Sequence, residues 1–378
     1  MNTIIPRKRD LDRLKRLMRT FPVTCLIGPR QCGKTTLARS LERDHYFDLE
    51  NPRDMGLFDT PQLNLEKLEG TIVIDEVQRK PELFPLLRYL VDRYPSQRYL
   101  ILGSASPEIL RESSETLAGR IGFHELSPFT VDLAKEEHAD RLWLRGGFPR
   151  SFLAESNESS SLWRENYIRT FLERDIPQLG ITIPSRTLRR FWTMLSHYHG
   201  QLLNLSELGR AFGISDKTIG KYLDILAGTF VVRLLQPWYS NVGKRLVRSP
   251  RLYVRDSGLF HLLQSIDTPG GLASHPKVGA SWEGFVLEQA ITLLEIGEPY
   301  FWRTHTGAEL DLFWFRNGKP YGLEVKYSDA PGMARSLHSV IEDLKPEHIW
   351  IIYPGKETWQ VHPKVTVLPL TGLLQIKQ

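Results

Sequence analysis

The octapeptide Gly28-Pro29-Arg30-Gln31-Cys32-Gly33-Lys34-Thr35 constrains this chain more than any other stretch. It fits the spacing GxxxxGK[ST], follows the strand-like run VTCLIG (Val23–Gly28) and leads into TLARSLE, which reads as a helix. Strand, glycine-rich loop and helix in that order make a phosphate cradle. The glycines let backbone N–H groups curl around the anion and the helix N-terminus faces it. Lys34 reaches the β and γ oxygens, and the Thr35 hydroxyl ligates magnesium. The expected nucleotide contacts run from Gly28 through Pro29, Arg30, Gln31, Cys32, Gly33, Lys34 and Thr35 to Thr36, with ATP and Mg2+ as ligands.

Such a loop belongs on a parallel sheet with helical crossovers, and the first 135 residues alternate strand-like and helical runs in that way. TIVIDEV (Thr71–Val77) and RYLILGSAS (Arg98–Ser106) are the further strand candidates. Asp75 and Glu76 end the first of them. At the C-terminal tip of a strand beside the loop strand, Asp75 is expected to hold a magnesium-bound water. Glu76 is then placed to orient the attacking water and act as its base. Ser104 ends the next strand, where it would sense a γ-phosphate. Arg120, in LAGR, is either an arginine finger or sensor, or a plain surface arginine.

At 378 residues the chain is too long for one ordinary core, so two or three domains are expected. Hydrophobic residues make up 41% and charged residues 25%, a globular balance. No apolar run reaches the roughly 18 residues of a membrane span. The early basic residues (Arg7, Lys8, Arg9, Arg13, Lys15, Arg16, Arg19) have leucines at helical spacing among them, so they read as an amphipathic helix rather than a presequence. Cys25 and Cys32 match no zinc spacing and suit a reducing, cytoplasmic setting without a membrane partner.

The net charge of +5, with a pI near 9.0, permits a nucleic-acid partner. The surplus is concentrated: from Ser185 to Pro250 ten Lys/Arg stand against three Asp/Glu. That stretch contains LNLSELGRAFGISDKTIGKYLDIL (Leu203–Leu226), two short helices around a Gly213–Ser215 turn. Ile219, Tyr222, Leu223 and Leu226 form the buried stripe of the second helix. Lys217, Thr218 and Lys221 fall outside it and could face phosphates or base edges. FVVRLLQPW and RLYVRD would supply wing strands. A basic winged helix over DNA is one reading; a winged helix used for packing between domains, with its basic face solvated, is the other.

Toward the C-terminus Glu283, Asp311, Glu324 and Lys326 carry the chemistry. Glu283 lies on the helix SWEGFVLEQAITLLEI. Alternation in ELDLFWF sets Asp311 and Phe313 on one face, and YGLEVKYS returns after the NGKP turn with Glu324 and Lys326 on one face. An antiparallel hairpin can therefore bring Asp311 beside Glu324 and Lys326. Carboxylates converging with a lysine suit a metal-dependent hydrolytic site. Glu283, Asp311 and Glu324 would hold the cation and Lys326 would position the water. A surface hairpin with paired Glu and Lys on its wet face is the plainer alternative. The order helix-Glu, strand-Asp, turn, strand-Glu-x-Lys resembles the PD-(D/E)xK nuclease superfamily, although Leu310 stands where its usual proline would precede the aspartate.

GPRQCGKTTLAR, VIDEVQRKPELFPLLRYLVD, LILGSAS and LAGR resemble the bacterial and archaeal AAA-type ATPases that carry an uncharacterised C-terminal domain. FLERDIPQLG, the Leu203–Leu226 segment and ELDLFW…LEVKYS resemble later parts of the same family, so the likeness covers nearly the whole chain. It implies an ATPase module, a winged-helix-like middle and a nuclease-like end. With the helical, aromatic-rich pattern of 136–185 this makes an α/β chain in four parts: a P-loop ATPase domain (1–135), a helical connector (136–185), a winged-helix-like domain (186–272) and an α/β PD-(D/E)xK nuclease-like domain (273–378). The expected activity is Mg2+-dependent ATP hydrolysis gating a DNA-contacting, DNA-cutting enzyme. The alternative is a nucleotide-controlled switch or scaffold whose nuclease-like part does not cut. A homo-oligomer is left open.

Overall fold

The structure is a computed structural model that describes residues 5–103, 115–178, 183–239 and 248–376. Ser104, Lys244 and Arg245 lie outside the described residues. The chain divides into two compact units, residues 1–128 with 228–230, and residues 129–227 with 231–378.

The first unit is built on five strands: β1 (Val23–Ile27), β2 (His45–Asp48), β3 (Gly70–Asp75), β4 (Gln97–Leu102) and β5 (Ile121–Glu125). They pair in the order β2-β3-β4-β1-β5, every neighbour parallel. All five residues of β1 are buried, as expected when both faces of a parallel sheet are covered. Val23, Cys25 and Ile27 pack on one face with Ile72, Ile74 and the helix Leu83–Arg93. Leu26, Val73, Leu100 and Leu102 pack on the other with Leu14 of the helix Lys8–Thr20 and with Leu37. One expectation is corrected: the strand ending in Asp75 is not the neighbour of β1. Strand β4 lies between them, because long crossovers let sequence-distant strands insert, and alternation along a strand carries no record of its neighbour.

The second unit carries nine strands: β6 (Gln201–Leu202), β7 (Val232–Pro237), β8 (Arg251–Val254), β9 (Tyr300–Arg303), β10 (Glu309–Arg316), β11 (Lys319–Val325), β12 (His348–Tyr353), β13 (Trp359–His362) and β14 (Val365–Pro369). Their order is β13-β14-β12-β11-β10-β9-β7-β8-β6. The short strands around residues 201–254 are therefore continuous with the C-terminal sheet, through parallel pairing of Gln236 and Pro237 in β7 with Tyr300 and Phe301 in β9. Beside them lie the helices Ser185–His197, Leu205–Phe212 and Asp216–Gly228. Asn204 caps the second by accepting from the Glu207 N–H at 3.2 Å, and the Ser215 hydroxyl accepts from the Thr218 N–H at 3.2 Å. Ile219, Leu223 and Leu226 are buried against Leu188, Phe191 and Trp192, while Tyr222 is half-buried on the Phe191 ring.

The helix Val278–Leu293 is apolar on most sides and buries Glu288, which holds two arginines from other elements. Arg233 of β7 donates through Nη2 at 2.9 Å and Arg255 through Nε at 3.0 Å. Burial opposes the charge on Glu288, but the two guanidiniums outweigh it and hold its carboxyl down at about 2, below the ordinary 4.5. Arg233 is thus neutralised from outside the basic stretch in which it was counted. Arg189 is likewise paired, with Glu165 at 2.8 Å. The solvated positive charge of that stretch is smaller than its composition suggests.

Removing the Glu288 charge leaves two arginines in a buried setting. Glu288→Gln is expected to lower the urea-unfolding free energy at neutral pH by about 3 kcal/mol. A carboxyl whose folded pKa is depressed adds stability above its unfolded value and loses it as pH falls through the folded one. The gap between wild type and variant should therefore shrink as pH drops from 4.5 toward about 2, which denaturation at stepped pH would show.

Candidate functional site

In the first unit the loop after β1 turns back on itself between Gly28 and Lys34. Gly28 has φ 151°, and a β-carbon there would sit 2.4 Å from the Leu126 carbonyl oxygen, so no larger residue fits without moving the loop. Lys34 is buried, and its Nζ donates to the carbonyls of Gly28 at 2.9 Å and Pro29 at 3.0 Å, which folds the ammonium into the loop mouth. Cys32 is buried beneath the loop, Gln31 is exposed with φ 63°, and Arg30 makes an ion pair with Glu50 at 3.5 Å. Thr36 is exposed one residue past Thr35.

Because all five strands are parallel, their C-terminal ends share one edge. Thr35 Oγ1 donates to Asp75 Oδ2 at 2.9 Å although two strand spacings separate β1 from β3. A hydroxyl and a carboxylate side by side are hard oxygen donors of the kind Mg2+ takes, and they fit that ion. Glu76 follows in the left-handed region at φ 58°, an uncommon conformation for a non-glycine residue, and its carboxylate takes an N–H from Gln78. Burial, then the charge of Asp75, raises the Glu76 pKa. Arg120 lies elsewhere. It precedes β5 at the N-terminal edge of the sheet, where it makes a two-pronged pair with Asp92 at 2.7 and 3.0 Å. The fold does not bring it to the loop of its own chain.

Two residues at this site escaped the sequence reading. The Tyr46 hydroxyl donates to Asp75 Oδ2 at 2.6 Å, the same oxygen that accepts from Thr35. Arg7 is buried, donating to the Cys32 carbonyl at 2.8 Å and the Ser127 carbonyl at 2.9 Å, which braces the loop from behind. Tyr46 reads as an ordinary strand tyrosine, and only the pairing of β2 with β3 brings it to Asp75. Arg7 reads as one of a run of basic residues, and only its distant contacts with Cys32 and Ser127 set it apart.

In the second unit, β10 and β11 form a hairpin around Asn317-Gly318, both at positive φ, with Arg316 opposite Lys319. That register sets Leu312 opposite Leu323 and Asp311 next to the end of β11, where Asp311 Oδ2 accepts from the Val325 N–H at 2.9 Å. Lys326 Nζ donates to Glu324 Oε1 at 2.6 Å, and Glu324 Oε2 is buried with no hydrogen-bond partner. Glu283 accepts from the Tyr253 hydroxyl at 2.6 Å. At the centre stands Arg251, missed by the sequence reading. It contacts Asp311 at 3.1 Å, Glu309 at 2.7 Å and Glu283 at 3.6 Å. Burial first, then the Asp311 charge, raises the pKa of both Glu283 and Glu324. Among the described residues no group of three or more His, Cys, Asp or Glu is arranged to hold a metal ion. Asp311 and Glu283 do converge, but on a guanidinium, whereas Glu324 is held by Lys326.

On the helix Asp216–Gly228, Lys217 and Lys221 are exposed, and the half-buried Thr218 shares a hydroxyl contact with Ser215 at 3.0 Å. His199, one of a histidine pair in SHYHG, is buried. Its Nδ1 accepts from the Val254 N–H at 3.0 Å, and burial pushes its pKa down to about 3. Among the described residues, no helix is long and apolar enough to cross a membrane.

Three family models match successive stretches of the chain. The family described as an AAA domain matches residues 20–133, and two families described as domains of unknown function match residues 136–270 and 278–373. Among solved structures, the Walker-type ATPase PABY2304 of Pyrococcus abyssi is 16% identical with a TM-score of 0.48, over 69% of this chain and 96% of that one. The uncharacterized proteins Mb2031c of Mycobacterium bovis and Rv2008c of Mycobacterium tuberculosis are each 49% identical over 375 residues, 98% of this chain and 85% of theirs. With an AAA domain at its N-terminal end and identity along nearly its whole length, this chain belongs to the family of those two mycobacterial proteins.

Proposed function

We propose that this chain is a Mg2+-dependent ATPase whose nucleotide cycle controls a second, nucleic-acid-contacting unit. The observation that carries the reading is the Thr35–Asp75 contact at the sheet edge, with Lys34 folded into the loop and Glu76 beside it. Lys34 would leave the carbonyls of Gly28 and Pro29 for the β and γ oxygens. Bound Mg2+ supplies charge neutralisation on those oxygens. Thr35 and Asp75 would hold it, with Tyr46 steadying the carboxylate. Glu76, its pKa raised toward the working range of a base, takes a proton from the attacking water. The water oxygen then forms a bond to the γ-phosphorus as the bond to the leaving ADP oxygen breaks. Arg120, on the far edge, would serve only the nucleotide of a neighbouring copy, which ties that role to a homo-oligomer.

For the second unit we read the helices Ser185–His197, Leu205–Phe212 and Asp216–Gly228 with strands β6 to β8 as a winged helix. Lys217, Thr218 and Lys221 would face DNA. The four-part division at residues 135, 185 and 272 is part of this proposal, as is the nuclease-like ancestry of the last part. A second reading, metal-dependent cleavage of DNA, is favoured by the hairpin that gathers Asp311, Glu324 and Lys326. It ranks second because the Arg251 guanidinium contacts Asp311 and Glu283 where a cation would have to sit.

ATP hydrolysis by the purified chain should vanish in Lys34→Ala. In Glu76→Gln it should fall about 100-fold or more with ATP binding retained, the signature of a lost base. Hydrolysis undiminished in Glu76→Gln would reject the role given to that residue. Binding of a DNA duplex measured against salt should lose about one unit of log–log slope in each of Lys217→Ala and Lys221→Ala. An unchanged slope would return that helix to a packing role. Supercoiled DNA incubated with Mg2+ or Mn2+ should stay uncut; nicking that disappears in Lys326→Ala would promote the second reading.

A further inference from the structure

Arg251 opens strand β8, and in the hydrogen-bonded order β9 and β7 stand between β8 and β10. On a flat sheet three strand spacings amount to about 14 Å, beyond the reach of an arginine. Yet Arg251 Nη1 is 3.1 Å from Asp311 Oδ1 and Nη2 is 2.7 Å from Glu309 Oε2, both carboxylates on β10. The sheet therefore curls back on itself at this point. The guanidinium lies 5.0 Å over the ring of Phe301 on β9, inside the curl, and its side chain is only 4% exposed. Glu283 approaches the same Nη1 at 3.6 Å from the helix Val278–Leu293.

The carboxylate oxygens around it are largely committed to protein donors. Asp311 gives one oxygen to Arg251 and the other to the Val325 N–H. Glu283 Oε1 takes the Tyr253 hydroxyl, and Glu324 Oε1 takes Lys326. A hard divalent ion needs about six oxygens at roughly 2.1–2.6 Å. Here the space shared by Asp311 and Glu283 holds the Arg251 nitrogen instead. Buried guanidiniums persist where several acceptors answer them, as happens here.

We propose that Arg251 is the resident cation of this carboxylate cluster, occupying the place a divalent ion would need, so that the cluster is an ion-paired clasp between β8 and β10 and not a metal site. The inference stands apart from the nucleotide site and does not depend on ATP hydrolysis.

The test is Mn2+ binding to the nucleotide-free full chain, followed by electron paramagnetic resonance. Wild type and Glu324→Gln, a change that leaves the clasp partners of Arg251 in place, should bind the same amount of Mn2+. Arg251→Met should gain one further Mn2+ per chain, with affinity about tenfold or more above any wild-type site in this unit, and Arg251→Met/Asp311→Asn should lose it again. Two results overturn the proposal: a wild-type Mn2+ site that disappears in Glu324→Gln, or a folded Arg251→Met chain that gains none. The first comparison decides the matter even if Arg251→Met does not fold.

Discussion

Parallel pairing is the constraint on which the N-terminal unit rests. A strand that runs parallel to its neighbour must return by a crossover, so every loop that leaves a strand end in the sheet β2-β3-β4-β1-β5 emerges along one edge. Residues scattered over the chain meet there without any local instruction. Thr35 follows β1, Asp75 ends β3 and Tyr46 lies in β2, and all three share one carboxylate oxygen. The same geometry sends Arg120 to the other edge, since it precedes a strand instead of following one.

Buried charge organises the second unit in a different way. Glu288 binds β7 and the segment after β8 to one helix through two arginines, and Arg251 binds β8 to β10. Each ion must be desolvated, so these groups persist only because several partners answer each charge at once. The outcome is a sheet that joins the short strands near residues 201–254 to the hairpin and curls far enough to bring distant strands into contact. The two clusters also show why net charge is a poor guide to surface chemistry. Arg233 and Arg251 count as basic residues in the sequence, but both are neutralised in the interior.

What was legible followed from locality. The phosphate loop occupies eight consecutive residues between a strand and a helix, and its glycine and lysine requirements are written side by side. The turn at Asn317-Gly318 sets the β10–β11 register, so the approach of Asp311 to the end of β11 is also a short-range matter. The illegible parts are pairwise and distant. That β4 separates β1 from β3, that Tyr46 touches Asp75 and that Arg7 braces Cys32 depend on contacts between residues about 25 or more positions apart, which no periodicity encodes.

The order of residues alone picked out the candidate groups: a lysine and a threonine at the end of a glycine loop, an Asp-Glu pair closing an apolar strand, and acidic residues on a hairpin beside a lysine. Those groups are adjacent or joined by one short turn, and the backbone's two periods set the faces they share. Tertiary structure decided what each group faces. It set Asp75 against Thr35 and Tyr46, and it filled the carboxylate cluster with Arg251. Sequence specifies such encounters only through the folding of the whole chain, since a charge buried at close range can be stabilised by a partner from any distance along it.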